Sequence, residues 1–392
     1  MSSHKEAQEI QKVSEHELLL CCARTSAAGE VVSRLRELAA AQIDWEYLFL
    51  LARRHAIVPL VYLQLERHAA DFVPHENLGQ FKQNYLENSA RNTVLTAEMC
   101  RLIGLLAEAG IKAIPYKGPA LAAFAYDNVA LRRFVDLDVI VKKPDVFRAR
   151  EILLTEGYTP AKSLSRNQQE ILLRTQHNMQ FSRDNHRLIV ELHWQVASHL
   201  FASAVSSDKL WQNLTTIDLN GTPVKTLSSS ELLFSLCVHG SRHLWERLNW
   251  ICDVAELLAR HRFDWTTLLE RAARSDSERM FLLGLHLAER LLAAPLPNDV
   301  KRRCDSDDRL KSLAAKVIKN LFNGTTHVPA TSREIFQYNL SVRKTLRARA
   351  RYVIYTLRPT DIDLGGRSFP PALSFAYYLT RPIRLLGTGR GQ

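Results

Sequence analysis

The sequence predicts an α+β fold, in which a small unit that contains strands is embedded between N-terminal and C-terminal helical regions. One observation is that apolar residues recur at helical spacing before about residue 106 and again after about residue 205. Another is that brief apolar runs alternate with glycine and proline turns between these regions. We therefore expect an N-terminal helical region, a central core, a C-terminal helical domain and a basic segment, at residues 1–106, 107–204, 205–340 and 341–392.

The composition indicates a folded protein. With 392 residues the chain is long enough for two or three domains, and 46% hydrophobic with 24% charged residues is unlike a disordered sequence. No apolar run approaches the roughly 18 to 20 residues that span a bilayer, and the polar N-terminus lacks the apolar stretch of a secretory signal. The six cysteines show no CxxC spacing, so we interpret them as reduced thiols and expect a cytoplasmic location.

The formal net charge of +11 favours anionic partners. Residues 341–392 carry ten lysines and arginines but two aspartates, so this basic C-terminal segment holds much of the excess. It could bind a polyanion such as RNA or lie on an anionic membrane surface. A general contribution to solubility explains the same charge, and these interpretations all stay open.

The central core carries the pattern of an α/β unit. An amphipathic helix is expected from Asn92 to Ala109, and Gly110 is its C-terminal stop. We then expect strands at 111–116 and 134–141, helices at 120–126 and 144–154, and a hairpin formed by 178–182 and 188–194. After residue 205 the pattern predicts helices again.

The turn Lys117-Gly118-Pro119 is a candidate phosphate site. Glycine permits a sharp turn and a close approach of the backbone to a ligand, and proline suits the first position of the next helix. The amides and the positive dipole end of that helix favour an anion, to which Lys117 would add its charge. An ordinary turn before a helix has the same sequence, so the motif alone decides little.

Two aspartates on the second strand strengthen this interpretation. Asp136 and Asp138 stand at positions i and i+2, so their side chains project from one face of an otherwise apolar strand. Adjacent carboxylates repel each other and lose solvation, which is unfavourable unless a cation lies between them. Mg²⁺, which prefers carboxylate and phosphate oxygens, is the simplest such cation. A solvated edge strand is the alternative.

Glu191 and His193 repeat this spacing on a later strand. A third carboxylate and an imidazole therefore point to one side of that strand. If the two strands are neighbours, three carboxylates converge beside the phosphate turn. That combination predicts a metal-dependent site for phosphoryl or nucleotidyl transfer.

Polar and aromatic residues form one stripe along the predicted helical segment 232–258, namely His239, His243, Glu246, Trp250 and Asp253. The spacing of the two histidines suits zinc, but Gly240 stands where zinc proteases have glutamate. On a continuous helix Asp253 would lie about 21 Å from His239, too far for one ion. The stripe either faces the cleft, where Arg242 or His243 would contact phosphate or base, or packs between domains.

The sequence also resembles the nucleotidyltransferase superfamily of DNA polymerase β, and within it a bacterial family of uncharacterised nucleotidyltransferases. Central matches are Tyr116-Lys117-Gly118, Arg132, Asp136-Leu137-Asp138 and Glu191-Leu192-His193-Trp194. Matches elsewhere are Ile43-Asp44-Trp45, His239-Gly240, His243, Trp245, Arg247, Leu248, Trp250 through Asp253, and Arg381-Pro382. The resemblance covers nearly the whole chain and implies a small mixed-sheet core.

The resemblance implies transfer of a nucleoside monophosphate from a nucleoside triphosphate, with pyrophosphate leaving and two Mg²⁺ ions taking part. It places Asp136 and Asp138 as metal ligands, and Glu191 as a third ligand or the activator of the acceptor hydroxyl. Lys117 and Gly118 would hold the triphosphate. We add four further candidates for binding nucleotide or phosphate, Arg132, His193, Arg242 and His243. Pro119 replaces the serine or glycine common in the superfamily, which removes a hydroxyl and an amide donor.

Three functions remain open. The first is an active nucleotidyltransferase whose acceptor is a small molecule, a protein side chain or an RNA end. The second is a non-catalytic nucleotide-binding or scaffold protein on the same fold, which the proline at position 119 favours. The third is a nucleic-acid-binding module that uses the basic C-terminal segment.

Overall fold

The N-terminal region is built from helices. The computed structural model describes residues 13–196, 207–326, 329–365, 369, 371–379 and 381. Its first helices are 13–22 (α1), Glu30–Ala39 (α2), Trp45–Arg54 (α3), Val58–His68 (α4) and His75–Glu108 (α5). The amphipathic stretch expected from Asn92 is thus the second half of the 34-residue helix α5. Its buried residues Leu95 and Met99 face the sheet.

The central core is a mixed five-stranded sheet with three helices, as expected for an α+β fold. Along the chain its elements are Ala113–Pro115 (β1), Gly118–Tyr126 (α6), Leu137–Val141 (β2), Val146–Thr155 (α7), Thr159–Pro160 (β3), Arg166–Thr175 (α8), Asn178–Arg183 (β4) and Leu188–His193 (β5). The strand order is β1-β2-β5-β4-β3. Only the β2–β5 pair is parallel, which brings the two strands with the acidic residues side by side.

Strand β2 begins later than the sequence predicts. The expected strand started at Phe134, but regular pairing begins at Leu137, so Asp136 lies just before the strand. Strand β1 ends at Pro115, which pairs with Val139 of β2. Residues 134 and 135, which the sequence placed in the second strand, therefore have no partner in β1. The carbonyl of Phe134 instead accepts a hydrogen bond from the Arg91 side chain, at 2.8 Å.

The prediction of helices alone after residue 205 was wrong. A short helix at Ser207–Gln212 (α9) is followed by a hairpin of Leu214–Leu219 (β6) and Thr222–Leu227 (β7). Its turn residues Asn220 and Gly221 have φ values of 57° and 81°, a conformation that an Asn-Gly pair favours. Thr226 donates a 2.6 Å hydrogen bond to the carbonyl of Pro115 and so fastens the hairpin to β1.

The rest of the described chain is helical. Its helices are Ser229–Arg242 (α10), Leu248–Arg260 (α11), Trp265–Arg274 (α12), Glu278–Leu292 (α13), Asn298–Asp305 (α14), Asp308–Leu321 (α15), Ser332–Ser341 (α16), Leu346–Thr356 (α17) and Asp361–Gly365 (α18). A turn between α10 and α11 breaks the helical segment 232–258, so the stripe drawn on a continuous helix does not hold beyond residue 242. Leu244 and Trp245 adopt φ values of 56° and 53° in this turn.

Two hydrophobic clusters form the core. The larger one joins the N-terminal helices to the C-terminal helices, from Leu18 to Val342, and surrounds the buried Trp245. The smaller one lies on the other face of the central sheet and includes the second half of α5. All six cysteines are free thiols. In the described residues, no helix has the length and apolarity needed to cross a membrane.

Candidate active site

A cleft of about 550 Å³ opens beside strands β2 and β5, where Asp138 and Glu191 carry their carboxylates. All nine residues proposed from the sequence line it, namely Lys117, Gly118, Arg132, Asp136, Asp138, Glu191, His193, Arg242 and His243. They come from the central core and from α10 with the turn after it. The cleft therefore lies between the sheet and the C-terminal helices.

Strand register brings the acidic residues together. Asp138 on β2 is the direct neighbour of Glu191 on β5, so both carboxylates stand on the same face of the sheet. His193 lies two residues further along β5 on that face. The i, i+2 spacing in the sequence is thus converted into one cluster by a single parallel strand pair.

His193 links the two carboxylates. Its Nε2 lies 3.0 Å from Oδ1 of Asp138 and 3.1 Å from Oε2 of Glu191. One ligand atom from each of these three residues lies within 4.8 Å of the others, so the group could hold a metal ion. The Lys117 ammonium is 3.4 Å from the same Asp138 oxygen. Lys117 and His193 therefore converge on the most buried carboxylate of the cleft.

The electrostatics of this cluster follow from burial and pairing. Burial works to raise the pKa of Asp138, but Lys117 and the hydrogen bond from His193 lower it well below its usual range. Burial likewise opposes the charged forms of Glu191 and His193, yet their mutual contact lowers the pKa of Glu191 and, with Asp138, raises that of His193. The contacts within the cluster therefore favour the charged form of each of the three groups.

Asp136 behaves differently from its neighbour. It lies outside the compact group of Asp138, Glu191 and His193, although it lines the same cleft. Burial and the charges of Asp138 and Glu191 raise its pKa to about 6. A carboxylate that is costly to ionise beside two others is a group to which a divalent cation would bind favourably.

The turn at Gly118 needs a glycine. Its φ of 51° is left-handed, and a Cβ atom there would lie 2.9 Å from the carbonyl oxygen of Asp136. The amides of Ala120 and Leu121 donate to the carbonyl of Lys117, and Pro119 has no amide hydrogen. The helix start therefore offers few backbone donors for phosphate, and the ammonium of Lys117 is the main positive group at this turn.

Arg132 is held by a partner that the sequence analysis did not identify. Its guanidinium makes two hydrogen bonds to the buried carboxylate of Asp253, at 2.7 and 2.9 Å. The hydroxyl of Tyr126 donates a third to the same carboxylate, at 2.7 Å. Asp253, placed on a possible metal-binding stripe by its spacing, instead fixes an arginine in the cleft wall. Arg132 and Asp253 are 121 positions apart, so no local pattern reveals the pair.

Asn178 is a second residue that sequence reasoning missed. Its side-chain amide donates a 2.8 Å hydrogen bond to Oε2 of Glu191, and it pairs with His193 across β4 and β5. The available signal was its place at the first position of the predicted hairpin, opposite the acidic strand. Together with His193 it fixes the orientation of the Glu191 carboxylate.

Arg242 and His243 lie on the opposite wall, at the end of α10. The guanidinium of Arg242 approaches Nε2 of His177 at 3.5 Å, which connects this wall to the start of β4. His243 is exposed to the cleft, yet enclosure by the surrounding cleft walls and the charge of Arg242 lower its pKa to about 4. It is therefore neutral at physiological pH and does not attract phosphate as a charge.

The sequence of this chain is similar to those of nucleotidyltransferases. The profile of the uncharacterised nucleotidyltransferase family matches residues 41–293, and the chain belongs to that family. A comparison with curated proteins gave no significant match. Among solved structures, it is similar to an antigenic nucleotidyltransferase-like protein from Paracoccidioides brasiliensis, with 14% identity over 53% of this chain and 93% of that one. The TM-score is 0.31.

Proposed function

We propose that this protein is a Mg²⁺-dependent nucleotidyltransferase, which transfers a nucleoside monophosphate from a nucleoside triphosphate to an acceptor hydroxyl and releases pyrophosphate. The observation that carries the proposal is the pairing of Asp138 with Glu191 across β2 and β5, with Asp136 in the same cleft. Membership of a nucleotidyltransferase family supports the reaction type.

The donor groups fit a divalent cation. Asp136, Asp138 and Glu191 would supply carboxylate oxygens, which Mg²⁺ prefers, and two ions are proposed to share them. Mg²⁺, when bound, would neutralise phosphate charge and polarise the reacting phosphorus centre. His193 lies among these ligands, but its imidazole suits other metals better, so we assign it to orienting the carboxylates.

The other residues of the cleft would bind the nucleotide phosphates and position the acceptor hydroxyl. Lys117 would contact the pyrophosphate leaving group, because its ammonium lies beside Asp138 of β2 and its backbone lies at the start of α6. Arg132, fixed by Asp253, would add a second positive group at a set place. Glu191 is held by Asn178 and His193 and would accept the proton of the acceptor hydroxyl. Positioning and charge neutralisation account for catalysis in this scheme.

A non-catalytic nucleotide-binding protein is the second candidate. The observation that favours it is the helix start after Gly118, where Pro119 has no amide hydrogen and the next two amides are engaged. A third function, RNA binding through the basic C-terminal segment, has less support. Lys344, Arg351 and Arg381 of that segment form ion pairs within the chain.

Release of pyrophosphate with Mg²⁺ and each nucleoside triphosphate tests the proposal, with cell extract fractions as the source of acceptor. Asp138→Ala is expected to lower the rate by at least about a thousandfold. Asp308→Ala, a matched change of an aspartate on the exposed start of α15, should leave it unchanged. Nucleotide binding that ignores Mg²⁺ and survives Asp136→Asn would instead establish the non-catalytic alternative.

A further inference from the structure

Three ring side chains form a patch on the cleft wall opposite the sheet. We define the ring patch as His239, His243 and Trp250, all of which line the cleft. The rings of His239 and His243 are 4.7 Å apart, and each is 5.5 Å from the ring of Trp250. The contacts bring the end of α10 and the first turn of α11 together at one place.

The turn between α10 and α11 fixes the relative positions of the three rings. Trp245 reverses the chain with a positive φ, donates its amide to the carbonyl of Gly240 and buries its whole side chain in the core. A Cβ atom on Gly240 would lie 2.4 Å from the Trp245 ring, and one on Gly284 would lie 2.9 Å from it. Two glycines thus make room for the tryptophan that fixes the angle between α10 and α11.

The patch carries no charge but keeps polar atoms. Burial and the charge of Lys117 lower the pKa of His239. Burial and the charge of Arg242 lower the pKa of His243. A neutral imidazole has one donor and one acceptor nitrogen. Within the described part of the chain, neither ring has a hydrogen-bond partner, and His243 is exposed to the cleft.

We propose that the ring patch binds the nucleobase of the nucleotide, with a preference for purines, a step that rests on the proposed function. Neutral rings bind phosphate weakly, whereas an indole and an imidazole stack well on a base. The free imidazole nitrogens can donate to and accept from the edge of a base. A purine offers more stacking area than a pyrimidine, and the phosphates would lie toward Lys117 and the carboxylates on the sheet.

Calorimetry of the full chain with Mg²⁺ tests this inference, using ATP, GTP, CTP, UTP and inorganic tripolyphosphate as ligands. The wild type should bind ATP and GTP about tenfold or more tightly than tripolyphosphate, with CTP and UTP between. Trp250→Leu should remove this preference and leave tripolyphosphate affinity within about twofold. Trp250→Phe should retain it, and Trp265→Leu, at a partly buried tryptophan outside the cleft, should change neither affinity.

Because Trp250 is partly buried, His243→Ala on the exposed side of the patch is a second variant that keeps the fold and should weaken ATP binding selectively. Equal affinity of the wild type for ATP and tripolyphosphate would overturn the inference, and so would an equal loss of both in His243→Ala. Failure of the proposed function gives a different result. Asp138→Ala would then leave Mg²⁺-dependent binding unchanged, while the base preference and its loss in Trp250→Leu persisted.

Discussion

The cleft and the basic C-terminal segment both concentrate charge, but they neutralise it in different ways. In the cleft, Lys117 and His193 pair with Asp138, yet burial and the charges of Asp138 and Glu191 still raise the pKa of Asp136 to about 6. In the basic segment, Lys344 and Arg381 meet Glu278 and Asp363, each within the chain. The difference lies in the like charges, because the cleft holds three carboxylates close together, whereas the two ion pairs of the basic segment each join opposite charges.

The sharpest contrast lies inside the cleft wall, where Arg132 and Asp253 are fully paired. Asp253→Ala would leave a buried guanidinium without its partner, and we expect a loss of about 3 to 5 kcal/mol in the free energy of unfolding. Denaturant titration measures it. Tyr126→Phe removes a single hydrogen bond to the same carboxylate and should cost about 1 kcal/mol. Similar losses for both variants would show that the ion pair contributes no more than the hydroxyl.

Gly118→Ala tests whether the turn beside the carboxylates tolerates a side chain. The left-handed φ and the 2.9 Å approach to the Asp136 carbonyl predict a loss of about 1 to 3 kcal/mol in unfolding free energy. Because the change moves Asp136, weaker binding of Mg²⁺ should accompany it. Gly221→Ala, which shares a positive φ but has open space around it, is the control for strain alone. Equal effects of the two changes on Mg²⁺ binding would contradict the argument.

Asp136→Asn should stabilise the metal-free protein while it weakens metal binding. The folded pKa of about 6 lies above the usual value of 3.8, so the fold favours the protonated acid and loses stability as the pH rises through 6. The amide removes this cost, and we expect a gain of about 3 kcal/mol at pH 8 and about half of that at pH 5, because the cost builds up between the unfolded and folded pKa values. Thermal unfolding at pH 5 and pH 8, without Mg²⁺, measures the gain. A gain of the same size at both pH values would refute the role of ionisation.

The same carboxyl group predicts how Mg²⁺ binding depends on pH. Below about pH 6 the ion must displace a proton from Asp136, so affinity should rise by up to about tenfold per pH unit and level off above pH 7. Calorimetry in buffers of different ionisation enthalpy would detect the released proton. In Asp136→Asn this part of the pH dependence should disappear.

The smallest effect is expected in the basic C-terminal segment. Lys344 and Arg351 are partly exposed partners of Glu278 and Asp276, and such pairs contribute about 0 to 1 kcal/mol. Lys344→Gln with Arg351→Gln should therefore change stability little and leave nucleotide binding unchanged. Loss of RNA binding with a reduced salt dependence in this variant would restore the polyanion interpretation.

Local patterns were sufficient for the N-terminal helices, the hairpin of β4 and β5, and the placement of Glu191 and His193 on one strand, but Asp136 lies before β2 and not on it. They were insufficient where the fold joins distant residues. The partnership of Arg132 with Asp253 depends on how α11 packs against the core, and the turn at Trp245 depends on space left by Gly240 and Gly284. The hairpin after residue 213 was an avoidable error, because Asn220 and Gly221 are a strong turn signal.

Helix α5 has a practical consequence for anyone who wishes to work with a smaller piece of the protein. It is about 50 Å long. Its first half packs in the larger hydrophobic cluster through Phe81, and its second half packs on the sheet through Leu95 and Met99. A fragment that started at residue 107 would lack this helix and would expose the apolar face of the sheet to water. The central core therefore does not form an independent folding unit, and a truncated protein must keep α5 together with its contacts to both hydrophobic clusters.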